Sequence, residues 1–274
     1  MYSRAYVEIT NICNMSCSFC HGHARAPRQM TMEEYARILQ QLEGKTQYIY
    51  HHLMGEPLVH PLLPKFIRMA REAGFRPMLT TNGTLLARFG DELLASGVHK
   101  VNISLHSFET GEEECHRSYL ETVAEFAAKG REAGVVINFR LWNNGCDGGK
   151  NTTALRVLEE YFPKPWKENT RGYSIRDKLF LEWGDRFAWP DQNAQDLGES
   201  LFCYGLRDHF GILSDGTVVP CCLDSDGVIA LGNVFREDLG DILSSPRAKA
   251  IADGFQRRKA TEDLCRRCGY ARKF

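Results

Sequence analysis

Six short runs rich in β-branched and aromatic residues alternate with longer amphipathic segments between residues 5 and 183. This alternation restricts the chain to repeated βα units on a parallel sheet, because parallel neighbours can be joined only by a long crossover. The predicted strands cover 5–10, 47–53, 76–81, 100–106, 135–141 and, with a weaker pattern, 178–183. The predicted helices between them cover 31–42, 61–73, 84–96, 112–133 and 152–161. Gly74, Gly97 and Gly134 stand where helices should stop and strands begin. In the second helix Leu62, Phe66, Met69 and Ala70, with Ile67 on the flank, approximate the spacing of a core-facing stripe, which assigns Met69 to packing.

After Trp183 the character changes. Gly184-Asp185, Trp189-Pro190 and a polar stretch over 191–200 lead to short predicted strands at 211–213 and 218–220 around the turn Ser214-Asp215-Gly216. The expected organisation is a larger unit over 1–185 and a smaller one over 186–274. A chain of 274 residues, 43% of them hydrophobic, has material for a sizeable core. A formal net charge of −1 gives no general attraction to nucleic acid or anionic membrane. The local basic cluster Arg266, Arg267, Arg272 and Lys273 reads as a solvated terminal face. No apolar run could span a bilayer, and Met1-Tyr2-Ser3-Arg4 leads straight into the first strand without a basic-then-apolar leader, so the expected location is cytoplasmic.

Ten cysteines carry most of the chemical signal. In a reducing compartment disulfides are the least favoured use of them, and their grouping favours metal centres. Cys13-x3-Cys17-x2-Cys20 lies in the loop after the first strand, at what would be the carboxyl-terminal mouth of a parallel barrel. Three thiolates can hold three irons of a four-iron cluster and leave the fourth open, whereas tetrahedral zinc would want a fourth ligand such as His21 or His23. The run Cys13-Asn14-Met15-Ser16-Cys17-Ser18-Phe19-Cys20 resembles the C-x3-C-x-aromatic-C signature of the radical S-adenosylmethionine (SAM) superfamily. The βα rhythm is similar to that superfamily's α/β fold, a partial (β/α)6 TIM-like barrel.

The resemblance implies a SAM-binding [4Fe-4S] cluster on Cys13, Cys17 and Cys20, which delivers one electron and cleaves SAM to a 5′-deoxyadenosyl radical. It also implies an electron donor such as flavodoxin or ferredoxin. Met54-Gly55-Glu56-Pro57 resembles the superfamily's Gly-Gly-Glu-Pro motif with Met in place of the first Gly, which implies that Glu56 accepts the SAM ammonium; Pro57 and Pro61 equally suit a plain helix start. Thr81-Asn82-Gly83 resembles its Thr-Asn-Gly turn and brings Asn82 into the candidate set, although such turns are common on conformational grounds. Ser104 and Arg140, at the ends of the fourth and fifth strands, resemble the polar and basic residues that contact SAM ribose or carboxylate. An arginine within an apolar strand needs an anionic partner in any case.

Cys203, Cys221, Cys265 and Cys268 supply four more thiols, enough to saturate either tetrahedral zinc or an iron–sulfur cluster. Cys203-x12-Gly216-x4-Cys221 resembles the opening of the SPASM auxiliary-cluster domain, and with six residues after Cys268 it resembles the shortened twitch form, a small α+β unit. The layout is nearest to 2-deoxy-scyllo-inosamine dehydrogenase-like enzymes, which implies an auxiliary [4Fe-4S] cluster on these four cysteines. Cys222 reads as a small buried residue, with an exchange of ligands with Cys221 as the alternative. Cys115 reads as a half-buried helical cysteine, and Cys146, in a glycine-rich loop at the barrel mouth, as either a hydrogen or proton donor or a loop residue without a role. Cys146, His106, Glu182 and Asp185 are the acid–base candidates, while His51, His52 and His60 fit packed or solvated positions equally well. Trp183 and Trp189 read as packing at the junction of the two units.

A saturated second cluster beside a radical-generating one suits electron acceptance, so the expected reaction is hydrogen abstraction followed by net oxidation of a small polyol or amino sugar. The alternative is modification or crosslinking of side chains in a ribosomal peptide, for which the sequence shows no N-terminal extension to receive a leader. RNA modification through the basic tail is the lesser alternative, and nucleic acid and membrane are not expected partners.

Overall fold

A computed structural model describes residues 1–109 and 111–273 of the chain. Its strands are β1 (Arg4–Val7), β2 (Tyr48–Tyr50), β3 (Arg76–Thr81), β4 (Lys100–Ser104), β5 (Val136–Leu141), β6 (Lys167–Asn169), β7 (Gly172–Arg176), β8 (Leu179–Trp183), β9 (His209–Ile212), β10 (Thr217–Val219) and β11 (Gly232–Asn233). The helices are α1 (Met32–Leu42), α2 (Leu63–Glu72), α3 (Leu86–Ala95), α4 (Glu113–Glu132), α5 (Lys150–Tyr161), α6 (Leu239–Leu243), α7 (Pro246–Gln256) and α8 (Asp263–Arg266).

All strands join one sheet in the order β11-β10-β9-β1-β2-β3-β4-β5-β8-β7-β6. The run from β9 to β8 is parallel throughout, and the antiparallel pairs β10–β11 and β6–β7 finish its two ends. The ends do not meet, so this is an α/β partial barrel. Each predicted strand and helix of the first unit is present. The β6–β7 hairpin was not predicted, because every residue of β6 is exposed and shows no alternation. Parallel pairing of β9 with β1 was likewise unforeseen, and it carries the sheet into the C-terminal region.

Local chemistry explains the outer layer. Thr31 Oγ1 accepts from the Glu34 amide while Glu34 returns a bond to the Thr31 amide, a reciprocal cap that starts α1 with Tyr35, Ile38, Leu39 and Leu42 turned inward. The buried stripe of α2 is Leu63, Phe66, Ile67 and Ala70; Ile67 is in the core rather than on the flank, and Met69 packs at its margin. Gly74, Gly97 and Gly134 follow α2, α3 and α4 with φ of 87°, 82° and 81°. Among the described residues no helix is long and apolar enough to cross a membrane.

The basic C-terminal cluster is a solvated face only in part: Arg272 and Lys273 are exposed, Arg266 and Arg267 half-buried, and all four have partners. Arg266 pairs with Asp196 and Asp263, Arg267 donates to the Ala194 carbonyl, Arg272 to the carbonyls of Leu197, Gly198 and Ser200, and Lys273 to that of Asp185. A segment over 185–200 without helix or strand leaves carbonyls that need donors, and these cations supply them.

Glu8, just past β1 and 0% exposed, ties the halves together. It takes both ends of the Arg25 guanidinium at 2.7 Å and accepts from the amides of Met54 and Ser214, while Arg25 Nε donates to the Ser225 carbonyl. Glu8→Ala strands Arg25 as an unpaired cation in the interior. Urea denaturation is expected to show a loss of about 3–5 kcal/mol.

Candidate active site

The loop carrying Cys13, Cys17 and Cys20 sits at the carboxyl end of β1 and is held from three sides. From below, the Glu56 amide donates to the Ile12 carbonyl at 2.9 Å, and Gly55 (φ +75°) lies so close that a Cβ would meet the Thr10 carbonyl oxygen at 2.5 Å. Only glycine fits there. From β3, Asn82 Nδ2 donates to Asn14 Oδ1 and Asn14 Nδ2 to Thr84 Oγ1, both at 2.9 Å, so the Thr-Asn-Gly turn clasps the cysteine loop directly. From above, Glu109 accepts from the amide and hydroxyl of Ser18 at 2.5 and 2.6 Å and pairs with Arg186 at 2.9 Å. Trp189 Nε1 donates to the Phe19 carbonyl at 3.0 Å, so this tryptophan fastens the loop rather than merely packing the junction. Neither Glu109 nor Arg186 carries a motif that sequence reading could have used.

Cys13 and Cys20 are exposed and Cys17 half-buried. Burial, with the neighbouring thiols adding to it, raises Cys13 and pushes Cys17 up to about 11. Among the described residues no cationic side chain offsets this at Cys13 and Cys17, and a metal bound to their sulfurs would favour the thiolates.

Glu56 is 2% exposed and accepts from the Leu58 and Asn82 amides and the Thr81 hydroxyl. Burial outweighs these bonds and pushes its pKa up to about 7. Since the folded chain then holds a proton that the unfolded chain has lost between pH 4.5 and 7, stability of the metal-free protein falls as pH rises through that window. Denaturant titrations from pH 5 to 8 are expected to show this loss, on the order of 3 kcal/mol, and Glu56→Gln is expected to remove it.

A cavity of about 990 Å³ opens beneath this loop. Ser104, Arg140, His106, Glu182 and Asp185 all line it; Asn82 is at the cysteine loop, and Cys146 lines a separate cavity of about 220 Å³ with His116 and Lys150. Arg140 does find an anionic partner, Glu182 at 3.8 Å, and lies over the Trp142 ring at 4.7 Å, with its Nε lacking a hydrogen-bond acceptor. Glu182 is shared with Arg171 at 3.8 Å, so it faces two guanidiniums. His106 is pushed down to about 4 by burial, its Nδ1 wedged between the Arg140 carbonyl and the Trp142 amide. Asp185 accepts from Asn144 Nδ2 at 3.0 Å and has no ion pair among the described residues. His51 and His60 are packed: His51 Nε2 meets the Tyr35 hydroxyl at 2.6 Å, and His60 contacts the Met30 carbonyl and the Leu62 amide. His52 faces the cavity.

At the other end of the same cavity stand Cys203, Cys221, Cys265 and Cys268. The turn Ser214-Asp215-Gly216 between β9 and β10 and the short helix α8 bring the two pairs together. Gly205 packs between them, its Cβ position 3.1 Å from the Pro220 carbonyl oxygen and in ordinary contact with Cys203 Sγ and Cys221 Cβ. Burial raises Cys203, Cys221, Cys265 and Cys268, and neighbouring thiols add to it at the last three. Four thiols lining one end of a cavity with Phe255 and Leu264 have the donor chemistry of a metal–sulfur site, although among the described residues no three ligands are drawn close enough to hold a metal ion. Cys222 turns to Tyr6, with which it is hydrogen-bonded, and Cys115 is exposed rather than half-buried.

Two family models match the chain. The radical SAM superfamily covers residues 7–142 and an iron-sulfur cluster-binding domain, SPASM, covers residues 203–269. The chain is 24% identical over 288 residues to the probable GTP 3',8-cyclase of Sulfurisphaera tokodaii, covering 91% of this chain and 90% of that protein. It is 31% identical over 107 residues to the GTP 3',8-cyclase of Chlorobaculum tepidum, covering 38% of this chain and 32% of that protein. Among solved structures it is similar to BtrN in complex with AdoMet and 2-DOIA, with a TM-score of 0.62, 17% identity, and coverage of 98% and 93% of the two chains. It is also similar to Streptococcus suis SuiB bound to S-adenosylmethionine, with a TM-score of 0.63, 17% identity and coverage of 98% and 71%. At that identity the two structures share a fold.

Proposed function

We propose that this chain, which belongs to the radical SAM superfamily and carries a SPASM cluster-binding domain, oxidises a small polyhydroxylated substrate held between its two cysteine sites. The observation that carries this reading is the cavity that meets the first cysteine loop at Phe19 and reaches Cys203, Cys221, Cys265 and Cys268. When bound, SAM and two [4Fe-4S] clusters supply a hydrogen-abstracting radical and a sink for one electron.

The chain's residues do the rest. Cys13, Cys17 and Cys20 would hold one cluster, and Cys203, Cys221, Cys265 and Cys268 the other. Glu56 would accept the SAM ammonium with Asn82 bracing the loop above it, and Ser104 and Arg140 would meet the ribose and carboxylate. A substrate that has lost a hydrogen atom must still lose a proton and an electron. Asp185, which like the buried Asp224 lines the cavity without an ion-pair partner among the described residues but is exposed to it, would take the proton. An external donor such as flavodoxin or ferredoxin would supply the reducing electron.

The relatives are named for a nucleotide triphosphate reaction, and a triphosphate needs unmatched cations. Here Arg4 pairs with Asp208 at 2.5 Å and Arg186 with Glu109, while the single carboxylate of Glu182 serves both Arg140 and Arg171 at 3.8 Å, and Lys100 and Lys273 also line the cavity. Positive charge therefore remains in the cavity, and a phosphorylated substrate is the competing reading that the labelled-substrate experiment has to separate from a polyol. The test is anaerobic reconstitution followed by reduction with SAM present: about eight irons per chain and 5′-deoxyadenosine are expected. Deuterium carried from a labelled polyol into 5′-deoxyadenosine identifies the abstracted hydrogen, whereas zinc and no cleavage would sink the reading.

A further inference from the structure

Tyr50 ends β2 and His52 follows two residues later, so both project into the barrel, where they line the cavity floor. The Thr80 amide donates to His52 Nδ1 at 3.2 Å. A neutral imidazole whose Nδ1 accepts must carry its proton on Nε2, and Nε2 has no protein partner among the described residues. Burial and the Arg140 charge push the ring down to about 3, which keeps it neutral. The Tyr50 hydroxyl is also without a protein partner among the described residues, and a tyrosine hydroxyl both donates and accepts.

These heads are rigidly placed. Tyr50 stacks on Tyr6 with ring centres 5.1 Å apart, and His52 stands edge-on to both at 5.4 and 5.6 Å. Tyr6 is in turn hydrogen-bonded to Cys222, which lines the cavity beside Cys221.

Resting on the oxidative reading above, we infer that Tyr50, His52 and the Tyr6–Cys222 pair form a hydroxyl-recognising subsite that binds a neutral polyhydroxylated ring against the cavity floor. Each head is uncharged, one donates only, one donates and accepts, and the floor is aromatic; hydroxyl groups on a compact ring satisfy all of them. Arg140 stands at the edge of this subsite, and the heads on the floor itself offer two neutral donors and an acceptor rather than charge. The subsite lies between Arg140 and Cys221, which sets the ring between the two cysteine sites.

The test is calorimetric titration of the reconstituted holoenzyme, with SAM present, using scyllo-inositol and methyl β-glucoside, and GTP as the comparison. Wild type is expected to bind the neutral rings in preference to GTP. Tyr50→Phe, which removes only the hydroxyl, and His52→Asn, which keeps an acceptor for the Thr80 amide but loses the Nε2 donor, should each weaken binding about 3- to 10-fold. His52→Gln places an amide donor near Nε2 and should restore it. Failure of both rings to bind, equal binding by Tyr50→Phe and His52→Asn, or GTP binding that falls with these variants would overturn the subsite. If wild type cleaves SAM while the rings fail, the subsite alone is wrong; if it does not cleave SAM, the oxidative reading has failed first.

Discussion

Cys17→Ala is expected to cost the reconstituted protein about four of about eight irons and to bring reductive SAM cleavage to the level of a buffer control. The effect is all-or-none because the half-buried Cys17 thiol stands between two exposed ones in a loop with no spare ligand in the signature. Serine in its place keeps the volume but not the soft sulfur, and iron should be lost just as fully. Cys115→Ala, a change at an exposed helical position away from either set, should leave iron and cleavage as in wild type. Iron assay and chromatography of 5′-deoxyadenosine decide the matter, and retention of eight irons in Cys17→Ala would remove that residue from the cluster.

Cys268→Ala should have an equally large effect on a different observable. Cys268 is 8% exposed, packs in the main core and stands in the cavity with Cys203, Cys221 and Cys265. Losing it should remove about four irons, leave 5′-deoxyadenosine forming, and suppress the oxidised product at least about 100-fold, because the substrate radical then has no acceptor. Product analysis beside cleavage measures the split. Undiminished product in a variant lacking the auxiliary irons would reduce that site to a structural clamp.

Much of this was legible in the amino-acid order. The alternation of 2- and 3.6-residue periods gave the first unit strand by strand, since each element owes its pattern to burial on one face. Arg140 betrayed an anionic neighbour, because a buried guanidinium requires one, and the structure supplies Glu182. Other features depend on contacts between distant segments and leave no local trace. Glu109 meets Ser18 across 91 positions, and the basic tail residues lie along the surface against carbonyls of 185–200. Asn82 looked like an ordinary turn residue, and only its bond to Asn14 reveals that it holds the cysteine loop. His52 and His51 are adjacent in sequence, yet strand alternation sends one into the core and the other into the cavity.

The fastening of the cysteine loop also orders events during synthesis. Ala24 binds Asp226, Arg25 binds Ser225, and Arg28 binds the Ser214 carbonyl, so partners of the loop emerge about 190–200 residues after it. Such distant closures form late. While the ribosome is still making the C-terminal third, the loop of Cys13, Cys17 and Cys20 has its partners among residues 55–109 but its 24–28 flank has none of these three, which leaves the cysteines approachable from that side. Completion of the chain closes that interval.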